Sequence, residues 1–493
     1  MQIPALALHH FVMEHWPRYG EKPALIDAAT GRTLTFAQLG ESVRTVAANL
    51  AARGMAKGET FCIYSPNLLE FPIVYYGIQM AGGVPTAANP LYTCEELAKQ
   101  LRDSAATRII TVPAFLEKAI TAAADSNVRE IFVFGEADGA LPFQTLLEPI
   151  GPPSLIEHDP FDDLAALPYS SGTTGTAKGV MLTHRNLVAA CCQTIQIEET
   201  SYDDVTIAFL PFFHIYGQQI ILNSGLRQGS TLIVMTRFDF EAFLQSIRQY
   251  RITRLYLVPP VVLALAKSPI VSNYDFSSVR YVLAGAAPLG TALSKACEAR
   301  IGVPIRQGYG MTETAGIISL GIPGITPLEG DTVGFAVPDC ETKVVDGELL
   351  VRGPQIMKGY LNRPAETGEM LLADGWLRTG DIAEIDDNGW IRIVDRCKEL
   401  IKFKGLQVPP AELEALLVSH PCVADAAVIG IPDEEAGEIP KAFIVRRGDI
   451  SAAALTEFIN ARVAPHKKIR QWEFVESIPK SPSGKILRRL LRA

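Results

Sequence analysis

No Cys-x-x-Cys pair occurs among the eight cysteines of this 493-residue chain, which stand at 62, 94, 191, 192, 297, 340, 397 and 422. The one adjacent pair, Cys191 and Cys192, has poor spacing for sharing a metal. A disulfide scaffold and a cysteine-rich zinc site are therefore not expected, and reduced thiols are. Long apolar runs are also missing. The longest, residues 255–266, holds Pro259 and Pro260 and is too short to cross a bilayer. The opening MQIPALALHH has no basic region ahead of an apolar core, and the closing Leu-Arg-Ala is no peroxisomal address. These absences predict a cytoplasmic protein without a membrane partner. The net charge of −9 gives no basic surface, so nucleic acid is not an expected partner either. Neither a repeat nor a low-complexity tract gathers the 39 Gly and 33 Pro. What is present is an ordinary globular composition, 48% hydrophobic and 20% charged, in a chain long enough for two or three domains.

Through the middle of the chain, strand-like and helix-like segments alternate. Residues 108–112, 130–134, 231–235, 254–258 and 281–284 are short β-branched or aromatic runs, and 114–124, 240–250 and 291–300 carry helical patterns. This predicts layered α/β architecture with largely parallel sheets. From about Val333 the texture changes: 343–345, 348–352 and 390–394 read as antiparallel strands joined by Asp-Gly and Asn-Gly turns, a β-rich subdomain. A charged stretch, 395–405, then leads to an amphipathic helix at 410–418 with Leu413, Leu416 and Leu417 on one face, followed by strands at 423–431 and 472–475 around a helix at 453–463. The fold expected is α/β: a large N-terminal domain of layered sheets (1–394), a junction at 395–396, and a small α/β C-terminal domain (397–493).

One segment stands out chemically. YSSGTTGTAKGV (169–180) follows an apolar run and precedes a helix expected from Thr183. Its small residues let backbone N–H groups approach an anion, Ser170, Ser171, Thr173 and Thr174 add hydroxyl donors, and Lys178 adds positive charge. Composition makes it a phosphate cradle or, equally, a Gly/Ser/Thr surface loop; the Walker A spacing is absent. QGYGMTE (307–313) ends in a hydroxyl and a carboxylate, Thr312 and Glu313, which suit Mg²⁺ beside a polyphosphate, although a solvated Glu in a Gly-rich turn fits too. Asp381 closes the turn RTGD (378–381), His214 lies in the apolar LPFFHIYG (210–217), and Lys485 follows the Gly-rich turn of PKSPSGK (479–485). Taken singly, Asp381 can be a self-capping turn residue, His214 a core residue, and the basic run KILRRLLR (485–492) the solvated face of a terminal helix. For Arg488, Arg489 and Arg492 the solvated reading is adopted.

Taken in chain order (169–180, 210–217, 307–313, 378–381 and 479–485), these five segments, together with IVDRCKELIKFKGLQ (393–407), resemble the adenylate-forming superfamily of acyl-CoA synthetases, luciferases and peptide-synthetase adenylation domains. The similarity runs from about Glu21 to Arg492 and is nearest to 4-coumarate:CoA ligase-like aryl acid:CoA ligases. It implies an ATP/AMP site of Ser170, Ser171, Gly172, Thr173, Thr174, Lys178, Ala286, Ala287, Pro288, Gln307, Gly308, Tyr309, Thr312, Asp381 and Arg396, with Asp381 on the ribose and Mg²⁺ on Glu313 and Thr173. It implies an acid pocket of His214, Tyr216, Gly285, Ala286, Gly310 and Met311, and CoA contacts at Arg237, Lys404 and Gly405. Lys485 would bridge the acid carboxylate and the α-phosphate; with Thr312 and a positioning His214 it completes the catalytic set. In the resembled family the C-terminal domain swings about a hinge, here Asp395, exchanging Lys485 for Lys402, Lys404 and Gly405.

The reaction implied is an AMP-forming acid–thiol ligation: ATP and an organic acid, aromatic or arylpropenoic because 285, 286 and 310 are small, give an acyl-adenylate and then an acyl-CoA. An amide synthetase handing the acyl group to an amine would share every motif; luciferase-like oxidation and a non-catalytic nucleotide sensor fit less well. Three departures from the family stand out. Ala177 replaces the usual Pro, the hairpin 345–348 is short, and Gly217-Gln218-Gln219 replaces Ser and an apolar residue, which leaves the acid open.

Overall fold

The computed structural model describes the chain except for residues 153–155, 171–176, 323, 326–330, 398, 405, 434, 482–483 and 493. Its centre is a nine-stranded sheet in the order Phe335–Ala336, Ser319–Leu320, Ile305–Tyr309, Tyr281–Ala284, Arg254–Leu257, Val205–Ala208, Thr231–Val234, Pro23–Asp27 and Thr33–Thr35. The inner strands pair in parallel. Runs such as TLIV, RLYL and YVLA are buried at every residue, as expected of parallel strands covered on both faces. A second, five-stranded sheet, Val84–Ala87, Thr60–Tyr64, Arg108–Thr111, Glu130–Val133 and Leu141–Pro142, is parallel throughout.

The expected β-rich part is a four-stranded antiparallel sheet of Glu341–Val345, Glu348–Arg352, Leu377–Ile385 and Ile391–Arg396. Its first hairpin turns on Asp346 and Gly347, both at positive φ (51° and 84°), the two-residue geometry that Asp-Gly favours. Beyond it lies the smaller α/β unit: strands Leu406–Val408, Ile401–Phe403, Gly437–Arg446, Val423–Asp433 and Gln471–Phe474, with helices Pro410–Ser419 and Ala452–Asn460. The apolar cores divide the same way. One cluster spans Leu8 to Ile391 and another spans Ile401 to Ile469. Leu413 and Leu417 enter the second cluster fully and Leu416 packs at its edge, as the amphipathic pattern required. The expected α/β fold with a C-terminal domain is what the chain adopts. Sequence pattern missed the strand Gly437–Arg446. The run 114–124 splits into a 3₁₀ turn at Pro113–Phe115 and the helix Leu116–Ala123. No helix among the described residues is long and apolar enough to cross a membrane.

Four imidazoles meet where the N-terminal helix Leu8–Met13 packs on the start of the helix His184–Glu198. The ring centroids of His9 and His158 lie 5.1 Å apart, those of His158 and His184 4.8 Å, and those of His9 and His10 4.2 Å. His184 Nδ1 accepts the Leu8 N–H at 2.9 Å, so the neutral tautomer carries its proton on Nε2. Burial chiefly, then His158, pulls His184 down to about 3 against the opposing charge of Asp163. The unfolded imidazole titrates near pH 6.5, so the neutral ring's contribution is complete above that pH and is lost as the pH falls toward the folded value. The loss is about 1.4 kcal/mol per pH unit. A melting series from neutral to mildly acidic pH is expected to show a steeper fall in Tm for the wild type than for His184→Asn, which keeps an acceptor for Leu8; parallel curves would contradict this.

Candidate active site

The neighbouring strands Tyr281–Ala284 and Ile305–Tyr309 run parallel and end side by side, and the crevice at the carboxyl ends of such strands is the usual ligand position in an open parallel sheet. The loop after each strand carries expected site residues, 285–288 and 310–313. Backbone geometry fixes both loops. Ala286 is held at φ +72°, a left-handed conformation that a non-glycine residue adopts only under local constraint. A Cβ on Gly310 would lie 2.2 Å from the Gly316 carbonyl oxygen, so only glycine lets the two segments close. A Cβ on Gly285 would meet the Tyr216 ring at 3.5 Å and the Gly308 carbonyl at 3.4 Å. Tyr216 thus packs against Gly285, with its hydroxyl donating to the Leu283 carbonyl at 3.3 Å. Thr312 opens a single 3₁₀ turn, Thr312–Thr314.

Asp381 and Arg396 face each other across the antiparallel pair of the β-rich sheet. Asp381 is buried; the Tyr309 hydroxyl donates to its Oδ2, and Arg396 Nε lies 3.5 Å from Oδ1. Burial raises the Asp381 pKa, and Arg396 and the Tyr309 hydrogen bond oppose that rise. A diol chelated by this carboxylate would compete with both neighbours. On the other wall Glu313 is buried, and its Oε1 accepts the Tyr360 hydroxyl at 2.7 Å. Lys178, at the start of the strand Lys178–Thr183, sets its ammonium 5.0 Å from the centroid of the same Tyr360 ring.

Lys485 reaches this crevice from the C-terminal domain. Ser481 and Lys485 close its turn: the Lys485 N–H donates to Ser481 Oγ, and the Ser481 N–H donates to the Lys485 carbonyl. Gly484, at φ +80°, presses on the large domain, where a Cβ would meet Pro260 at 3.0 Å and Val258 at 3.6 Å. Burial first, then the Arg396 charge, lowers the Lys485 pKa to about 8 against Asp381, Glu399 and Glu313, which favour the ammonium.

His214 is coupled to the same ammonium. Burial, then Lys485, pulls its imidazole down to about 4. Its Nδ1 accepts the Tyr216 N–H at 3.2 Å, which leaves Nε2–H as the free donor. The arrangement fits a positioning group and not a general base. Tyr216 then opens a π-helix, Tyr216–Asn223, a rare form often found at functional sites. The glutamines that departed from the family pattern turn away from the crevice. Gln218 accepts the Tyr75 hydroxyl and donates to the Phe212 carbonyl; Gln219 donates to the Leu187 carbonyl and to Cys191 Sγ. Gly217 is required here, because a Cβ would lie 2.3 Å from the Pro211 carbonyl oxygen. Gly217→Ser, the residue more usual in coumarate ligases, is expected to cost about 3 kcal/mol in denaturant unfolding; an unchanged midpoint would contradict the contact.

Lys485, His214, Glu313, Asp381, Arg396, Tyr309 and Lys178 therefore share one crevice with Tyr216, Gly285 and Gly310. Gln307, Gly308, Ala287, Pro288 and Met311 lie on its two strand-end segments, and Ser170 on the short strand beside Lys178. Ser171, Gly172, Thr173, Thr174 and Gly405 lie outside the described residues. Arg237 and Lys404 are exposed. Tyr360 was not singled out from sequence, and Arg488 and Asp395 were read without the partners the structure gives them. Tyr360 was missed because nothing local in Lys-Gly-Tyr ties it to Glu313. Arg488 is a correction: it is not a solvated charge, since it bonds Glu399 Oε2 at 2.6 Å and Glu414 Oε2 at 2.8 Å and anchors the segment that carries Lys485. Asp395 has a partner no motif shows, because its Oδ2 accepts the N–H of Ala411 in the helix Pro410–Ser419 at 3.1 Å.

Residues 12–361 match the family model for the AMP-binding enzyme, and residues 412–485 match that for the AMP-binding enzyme C-terminal domain. The chain belongs to the AMP-binding enzyme family. It is 42% identical over 514 residues to a 4-coumarate–CoA ligase of Pinus taeda, an alignment covering 99% of this chain and 95% of that one. Among solved structures it resembles the anthranilate CoA ligase AuaEII in complex with anthranoyl-AMP, with TM-score 0.92 and 26% identity over 100% of this chain and 98% of that one. It also resembles the amide bond synthetase McbA from Marinactinospora thermotolerans, with TM-score 0.87 and 26% identity over 99% of both chains. The resemblance read from the six motifs is borne out along the whole chain.

Proposed function

We propose that the protein is an acid–thiol ligase that activates an organic carboxylic acid with ATP and passes the acyl group to CoA. The observation that carries this reading is Lys485, delivered by the C-terminal domain into a crevice already holding Asp381, Arg396 and Glu313. In the first half-reaction a carboxylate oxygen attacks the α-phosphorus. The bond to the pyrophosphate leaving group breaks, and an acyl-adenylate forms. Two anions must approach, so the protein's task is charge neutralisation and alignment. Lys485 stands between the groups; Lys178 and the 170–174 hydroxyls take phosphate charge; Asp381 and Arg396 hold the ribose; 286–288 and 307–309 hold the adenine and its linkage; Thr312 donates to the phosphate. In the second half-reaction the CoA sulfur attacks the acyl carbon, AMP departs and the thiol proton goes to solvent. Arg237, Lys404 and Gly405 are the CoA contacts of this reading, and residues 395–396 are the hinge between a large domain, 1–394, and a small one, 397–493.

Glu313 fits a divalent cation: it is a buried hard-oxygen ligand with Oε1 held by Tyr360, and no described residue donates to Oε2. No cluster of three or more acidic, His or Cys side chains among the described residues is arranged to hold a metal, which suits Mg²⁺ carried in largely by the nucleotide's phosphates. Bound there with Thr173, Mg²⁺ would withdraw charge from the phosphate oxygens.

The acid is aromatic or arylpropenoic. Gly285, Ala286 and Gly310 put no large side chain beside the Tyr216 ring, which suits a flat acyl group, and both glutamines of the π-helix are bonded elsewhere. The curated relatives are CoA ligases at 42% identity, which favours the thiol as acceptor; among solved structures the anthranilate CoA ligase and the amide synthetase are alike at 26%. All eight cysteines are unpaired, as in a reducing compartment such as the cytoplasm. Incubation with ATP and a panel of benzoic, cinnamic and fatty acids, with CoA or an amine, tests the assignment. Aryl-CoA and AMP are expected; amide without CoA would overturn the thiol acceptor, and turnover of fatty acids alone would overturn the aryl slot.

A further inference from the structure

Tyr360 touches two charged groups of the crevice, Glu313 and Lys178. It lies on the short strand Gly359–Tyr360, which pairs with the strand bearing Lys178 so that Val180 faces Tyr360. Its backbone N–H donates to Thr367 Oγ1 at 2.9 Å, and Gly359, at φ +146°, packs where a Cβ would meet Thr367 at 2.8 Å. The backbone that carries the ring is therefore fixed, and the residue is 5% exposed. Its hydroxyl donates to Glu313 Oε1 at 2.7 Å, while the Lys178 ammonium rests 5.0 Å from its centroid. The Glu313 carbonyl also accepts the Met357 N–H at 2.9 Å, so the same segment grips the turn that carries the carboxylate.

From this geometry we infer that Tyr360 is a positioning residue for the nucleotide's metal and phosphates, its hydroxyl orienting Glu313 toward a divalent cation and its ring face aiming Lys178. A carboxylate free to rotate presents either oxygen, or neither, to a cation. One pinned through Oε1 keeps Oε2 available. The ring holds the Lys178 ammonium through its quadrupole without neutralising it, whereas a carboxylate at this position would compete with phosphate. One side chain thus couples the strand after the phosphate loop to the turn bearing the metal ligand. The inference rests on the adenylation reading.

Binding of α,β-methylene-ATP by calorimetry, in EDTA and across a Mg²⁺ titration, tests it without turnover. Tyr360→Phe keeps the ring and loses the hydroxyl. In EDTA it is expected to bind like wild type, whereas its half-saturating Mg²⁺ should rise about tenfold or more, the scale of a hydrogen bond to a charged group. Tyr360→Leu removes the ring as well and should weaken binding in EDTA too. An unchanged Mg²⁺ midpoint in Tyr360→Phe, or equal loss with and without Mg²⁺, overturns the role of the hydroxyl. Wild-type affinity of Tyr360→Leu in EDTA overturns the role of the ring. Tight wild-type binding that ignores Mg²⁺ overturns the metal-positioning role and leaves adenylation standing; a wild type that binds no analogue overturns both.

Discussion

Replacing Lys485 with alanine is expected to lower acid-dependent ATP–pyrophosphate exchange about 100-fold or more, the scale for losing a charge contact made in the transition state. Substrate affinities should change much less, because in the proposed reaction the ammonium acts where carboxylate and α-phosphate approach. The charge environment adds a second expectation. Burial and Arg396 bring the Lys485 pKa to about 8, so the ammonium predominates below that pH and is lost above it. Exchange should therefore fall on the alkaline side, and Lys485→Arg, which stays charged, should lose that limb even if slower overall. Arg488→Ala offers a separate check: it leaves Lys485 in place but unties its segment from Glu399 and Glu414. Exchange by Lys485→Ala within a few-fold of wild type would remove the lysine from the chemistry.

The second large effect concerns the junction. Asp395 sits in the strand Ile391–Arg396, and its carboxylate accepts the N–H of Arg396 at 2.7 Å and that of Ala411 at 3.1 Å. Lys267 Nζ donates across the same boundary to the Val418 carbonyl at 2.8 Å, and Gly484 rests on Pro260. These contacts hold the orientation that delivers Lys485, and the proposed rotation of the small domain at 395 would have to break those that cross the boundary. Proline at 395 fixes φ near −65° and removes a torsion that such a rotation would use. Asp395→Pro should slow exchange only as far as the lost Ala411 acceptor does, while slowing thioester formation about tenfold or more beyond that, which corresponds to a barrier about 1.4 kcal/mol higher. Asp395→Asn keeps an acceptor for Ala411 and should slow neither step appreciably. Equal losses in both half-reactions for Asp395→Pro would count against rotation.

Where local chemistry decides the structure, the sequence was informative. Four-residue apolar runs became the buried parallel strands, Asp346-Gly347 became the two-residue hairpin turn, and Leu413 and Leu417 became a core stripe. The motif residues Lys485, Asp381, Glu313 and His214 do converge, although the first two lie more than a hundred residues apart. What stayed hidden depends on contacts between distant segments. Nothing near Tyr360 points to Glu313, 47 positions away. Arg488 looks like any residue of a basic run until Glu399 and Glu414 are found beside it. The Gln218–Gln219 pair reads as a substrate clue because sequence does not reveal that a π-helix turns both inward, and Gly217 reads as a neutral exchange until Pro211 is seen against it.

The most direct test of the central claim is a single-turnover incubation of enzyme, ATP and a cinnamic or benzoic acid without CoA, followed by phosphorus NMR of the products. Pyrophosphate and an enzyme-bound acyl-AMP in equal amounts are expected, with free AMP appearing only when CoA is added. Formation of ADP and inorganic phosphate, or the absence of pyrophosphate with every acid tried, would contradict it.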